Sequence, residues 1–164
     1  HLVIAMLLLR QVVGGFGDTA MLAPPLLIPF VGNILAPVFG ARMGFLDLSW
    51  ALFGIGLLLW LILAPLLLHR LLAGPPLPPA LRPSVAIFLA PPAVGALALG
   101  QLTGVPGGPV LALVGVAVLV AAVLVSMTGE FARVPFSLGW WSFTFPSAAF
   151  AVMTMEEGFP AVFC

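Results

Sequence analysis

The sequence predicts an all-α, polytopic membrane protein, and three observations carry that prediction. Hydrophobic residues make up 63% of the 164-residue chain and charged residues 6%, whereas a soluble domain carries about a quarter charged residues. The mean hydropathy is +1.30, and several uncharged stretches reach the ~20 residues that cross ~30 Å of hydrocarbon. Leu57 to Leu63 reads LLLWLIL, without the alternation of a β-barrel strand. About five complete transmembrane helices and one truncated helix are expected, forming a single transmembrane domain over residues 1–164.

Leu2 to Val13 is apolar but only about 12 residues long, short of the ~17–25 that a span needs. The helix expected at 1–13 is therefore the far end of a longer one, and the absence of an initial Met and a basic leader fits a chain entered midway rather than a signal peptide. Gly14, Gly15, Gly17 and Asp18 form a turn. The second segment, 22–40, holds Pro24 and Pro25 at its start, where Pro is tolerated, and Pro29 and Pro37 further in, where each is expected to interrupt the helix. The third, 48–68, is Leu-rich and uncharged, with Pro65 in its last turn and His69 and Arg70 closing it at the interface. Gly74 to Pro79 is a stiff connector. The fourth segment, 83–100, has Pro91-Pro92 at its centre, and the fifth, 110–127, is a smooth Val, Leu and Ala run. The sixth, 136–155, opens on PFSLGWWSFTFPSAAFA, where Pro146 removes an N–H and disturbs the carbonyl of Ser142.

An alternation runs through these segments. The second, fourth and sixth carry Pro near mid-span, and the third and fifth are smooth and aliphatic. A backbone with unpaired carbonyls needs protein or water beside it, whereas a smooth helix is stable in lipid. The Pro-bearing segments are therefore expected inside, shielded by the other two. Arg10, Arg70, Arg82 and Arg133 fall on one side of this layout and Arg42 on the other, which places the 41–47 and 101–109 loops outside the cell.

Arg residues and acids balance at five each, giving zero net charge, so no basic face suggests nucleic acid. Cys164 is the only cysteine; no disulfide pair, metal-ligand spacing or cofactor motif is expected. No nucleophile and base occur together, so no catalytic residue and no enzyme is expected. Asp18, Asp47 and Glu130 read as loop charges, His69 as an interface residue, and Glu156-Glu157 as acids at the membrane surface. Asn33, Ser84, Ser137, Ser142, Thr144 and Ser147 are the polar side chains in or near the Pro-bearing segments. Most such hydroxyls bond to a carbonyl one turn back. The group around Phe143, Phe145 and Pro146 is nevertheless a candidate for lining a path, since an uncharged lining suits a weakly held ion. Trp140 and Trp141 suit an interfacial belt.

Trp140-Trp141-Ser142-Phe143-Thr144-Phe145-Pro146 with Ala148 to Ala151, the stretch LPPALRPSVAIFLAPPAVG at 77–95, and Val31-Gly32-Asn33 ahead of Pro37 together carry a family likeness. In this combination and order the chain resembles the tellurite-resistance and C4-dicarboxylate transporter family, which includes the slow-type plant anion channels, the voltage-dependent anion channel family. The resemblance implies part of a ten-helix bundle of helical hairpins with Pro-kinked inner helices. It implies a homotrimer at full length, in the plasma membrane and its lipid, acting on small anions. It makes the second, fourth and sixth segments inner helices and leaves other inner helices outside this chain. It implies that Phe145 gates the pore, with Phe143, Thr144, Pro146, Pro91, Pro92, Pro37 and Asn33 as pore-lining candidates. The tail after Ala151, VMTMEEGFPAVFC, departs from the family pattern. The function so implied is an anion channel or exporter. A proton-coupled carrier of C4-dicarboxylates or of tellurite- or sulfite-type anions is an alternative, and a structural fragment without transport is another.

Overall fold

Proline sets where the helices of this chain change character. The computed structural model describes residues 22–105 and 107–156, with Val3, Met6, Leu7, Leu9, Arg10 and Gly14 before them. The rest of the helix expected at 1–13, the turn with Asp18, and the tail from Glu157 to Cys164 lie outside the described residues. Among the described residues every regular element is helical. Three stretches are long and apolar enough to cross a membrane, Leu46–Ala73, Pro79–Thr103 and Gly108–Ser126, and Pro24–Gly40 is a shorter apolar helix.

Each Pro-bearing segment begins as a 3₁₀-helix and turns into an α-helix beside its Pro. Pro24–Leu27 leads into α1 (Ile28–Gly40), with Pro29 as its second residue. Pro79–Leu89 leads into α3 (Ala90–Thr103), with Pro91-Pro92 in its first turn. Leu138–Phe143 leads into α6 (Thr144–Glu156), with Pro146 as its third residue. The first N–H groups of an α-helix have no intrahelical acceptor, so a residue lacking one costs little there. The break expected at mid-segment is thus a change of helix type, and i→i+3 bonds from the Ile28 and Ala90 N–H groups serve the Pro25 and Ile87 carbonyls, which Pro29 and Pro91 leave without their usual donors. This corrects the expectation for Pro29 and Pro37. Pro29 opens α1, and α1 continues through Pro37 to Gly40, with only the Asn33 carbonyl forgoing its usual donor.

The smooth segments are uninterrupted: α2 is Leu46–Ala73 and α4 is Gly108–Ser126. The 28 residues of α2 span about 42 Å at ~1.5 Å each, more than the hydrocarbon thickness. Asp47 therefore lies in its first turn, and His69 and Arg70 lie within it. Arg70 is not a solvated flank. Its side chain is buried under the connector, where Nη1 donates to the Pro75 carbonyl at 2.6 Å. A short α5 (Thr128–Phe131) precedes the last segment.

α1 packs against α2 and α3, α3 packs also against α4 and α6, and the 3₁₀ stretch 79–89 packs against 138–143. Small residues permit the closest approaches. A Cβ on Gly56 of α2 would come within 2.9 Å of the Ile34 backbone nitrogen, and one on Gly139 would collide with the Ala80 carbonyl. Burial follows the expected alternation in the fourth segment and in part of the second, but not in the sixth, where only Pro146, Ala149 and Met153 are buried and Phe136, Leu138, Trp141 and Met155 stay exposed. The apolar window of 79–103 is 78% buried, against 28% for α2 and 22% for α4. Leu58 and Leu61 of α2, and Leu119 and Val125 of α4, stay exposed, as apolar side chains in contact with lipid would be.

Candidate functional site

The heptad spacing of small and apolar residues on the three Pro-bearing segments brings one stripe of each to a common space. On α1 the stripe is Ile28, Gly32, Leu35, Phe39 and then Arg42; on the fourth segment it is Ile87, Ala90, Val94 and Leu97; on α6 it is Phe145, Ala148, Val152 and Glu156. Steps of three and four residues keep each stripe on one face. Between the stripes lie two cavities of about 320 and 340 Å³. No residue of α2 or α4 lines either one.

The first cavity is lined toward its 3₁₀ end by Trp141, Ser142 and Pro146 with Ile28, Ile87 and Ala90. The second runs along α6 to Arg42 and Glu156. Leu35 and Phe145 belong to the walls of both. Phe145 is 42% exposed, so its ring is not locked into the core.

The remaining expected lining residues fall elsewhere. Pro146 is buried and lines the first cavity. Phe143 is half-buried, stacked on Trp140 with centroids 5.8 Å apart and edge-on to Phe131 at 5.3 Å. The Thr144 hydroxyl donates to the Trp141 carbonyl at 2.7 Å, and the buried Ser84 hydroxyl donates to Leu81 at 2.6 Å. Both follow the back-bonding habit of hydroxyls in helices. Pro37, Pro91, Pro92 and Asn33 are buried and line neither cavity. Asn33 lies where α1 and α2 meet closely, and its Nδ2 has no hydrogen-bond acceptor among the described residues.

One polar group was missed when the residues were read singly. Arg42 Nη2 donates to both carboxylate oxygens of Glu156, at 2.9 and 3.1 Å, and its Nε donates to Gln101 Oε1 at 3.0 Å. Gln101 Nε2 donates in turn to Glu156 Oε2 at 3.3 Å. These three residues stand at the ends of α1, α3 and α6. The sequence signal was register: Arg42 follows Leu35 by seven residues, Gln101 follows Leu97 by four, and Glu156 follows Val152 by four. No three or more metal-ligating side chains are grouped among the described residues.

Comparison with known proteins places these features in context. The family model described as the voltage-dependent anion channel, SLAC1, matches residues 1–163. The tail after Ala151, expected to depart from the family pattern, lies inside that match. Among curated proteins of Arabidopsis thaliana, the S-type anion channel SLAH3 is 30% identical over 126 residues, 77% of this chain and 20% of its own length. The S-type anion channel SLAH2 is 33% identical over 130 residues, 79% of this chain and 25% of its own. The guard cell S-type anion channel SLAC1 is 27% identical over 126 residues, 77% and 23%. The chain thus spans about a quarter or less of the length of these relatives.

Proposed function

The chain belongs to the voltage-dependent anion channel family, and from that membership we propose that the protein carrying it conducts small anions across the plasma membrane. The route runs between the three Pro-bearing segments, and Phe145 gates it. One observation supports the reading: the partly exposed Phe145, with Leu35, forms part of the wall of both cavities. An aromatic ring in a narrow apolar passage excludes water and with it the ion, and a change of rotamer opens the way.

The relatives are named as S-type anion channels, which supports anions as the permeant class. The domain of 1–164 is proposed to contribute three inner helices to a bundle completed by the rest of the protein, and the homotrimer implied by the family likeness belongs to the same proposal. Phe145→Ala in the full-length protein is expected to raise anion conductance several-fold, measured as chloride current at equal surface expression. Unchanged current from a variant that reaches the membrane would remove Phe145 from this role.

A further inference from the structure

We propose that Arg42 is the anion-attracting residue at one mouth of the path, and that Glu156 is its restraint, holding the guanidinium at the cavity edge and offsetting its charge. This rests on the permeation route proposed above. Among the described residues, Arg42 and Glu156 are the only ionisable side chains in the walls of the two cavities. The rest of the second cavity is hydrocarbon from Leu35 to Val152, so the balance between these two charges sets the local potential.

The hydrogen-bond arrangement fits that role. A guanidinium has five N–H donors. Nε is held by Gln101 and Nη2 by Glu156, and Nη1 has no hydrogen-bond partner among the described residues. The Arg42 side chain is 50% exposed and that of Glu156 35%. The planar fork is therefore fixed at two of its nitrogens, and the third, unbonded among the described residues, has the geometry to meet an oxyanion or halide. An unopposed Arg would gather anions and also retain them, whereas passage needs entry and release in balance. A carboxylate bonded to the guanidinium lowers the pull without removing it. Gln101 supplies an amide whose acceptor faces Arg42 and whose donor faces Glu156, which closes the triangle and fixes its geometry.

The test compares two isosteric neutralisations in the full-length channel, Arg42→Gln and Glu156→Gln, by single-channel conductance against chloride concentration. Both break the ion pair equally, so a purely mechanical tie between helices predicts shifts in the same direction. The proposal predicts opposite ones. At low chloride, Arg42→Gln lowers conductance about threefold or more and Glu156→Gln raises it, and both differences shrink as salt screens the mouth. Shifts of the same sign, or none in either variant, overturn it. Arg42→Lys keeps the charge but loses the fork, and is expected to fall between the unmodified channel and Arg42→Gln at low chloride; a loss equal to that of Arg42→Gln also overturns it. Wild-type current and its increase in Phe145→Ala test the route separately, so a failure confined to the Arg42 and Glu156 variants leaves the route standing.

Discussion

Gly54 and Gly56 stand two residues apart on α2 and meet different surroundings. A Cβ at Gly54 enters open space, whereas one at Gly56 presses on the Ile34 side chain and backbone of α1. Glycine inside a helix costs about 0.5–1 kcal/mol relative to Ala, so Gly54→Ala is expected to raise the melting temperature of the detergent-solubilised protein slightly. Gly56→Ala is expected to lower it, because forced repacking costs about 1–3 kcal/mol. Equal shifts in the two variants would mean that α1 and α2 do not approach here. Such single-residue facts were only partly legible beforehand. Phe145 was picked out by its family motif. Arg42 and Glu156 read as ordinary loop and interface charges, because the ion pair joins residues 114 positions apart and one-dimensional spacing says nothing of that distance.

At the scale of the element, the placement of Pro was legible and its consequence was not. Counting Pro residues identified which segments break, but a Pro read along a sequence implies a kink in a running helix. In the fold Pro29, Pro91 and Pro146 each lie in the first turn of an α-helix that a 3₁₀ stretch precedes. Removing such a Pro is expected to change little. Pro92→Ala should leave stability within about 1 kcal/mol, since the restored N–H falls among groups that lack an intrahelical acceptor. Val116→Pro, in the middle of α4 on its exposed face, should cost about 3 kcal/mol or more. Thermal unfolding of the two variants side by side checks the contrast. The ends of α2 were missed for a related reason: composition marks the uncharged stretch 48–68, while the helix runs on to Ala73 because Arg70 folds back under the connector and finds a carbonyl.

Across the whole molecule, the alternation of Pro-bearing and smooth segments separates the enclosed fourth segment from the exposed α2 and α4, while the sixth, expected inside, is exposed or half-buried over most of its length. Hydropathy alone does not separate them, since α2 and α4 are the most apolar spans and also the most exposed. In water that pairing would be unfavourable; in a bilayer it is where such side chains belong. The fourth segment is enclosed, and both cavities take their walls from the second, fourth and sixth segments. The most direct test is thiol accessibility in the full-length protein on a background in which Cys164 and any other native cysteine are replaced by Ser. A water-soluble methanethiosulfonate reagent should modify Ala148→Cys, and with it Leu97→Cys where the cavity admits the reagent, and block the current, while Leu58→Cys and Leu119→Cys stay unmodified in lipid. Modification of Leu58→Cys and Leu119→Cys, with Leu97→Cys and Ala148→Cys protected, would contradict the arrangement.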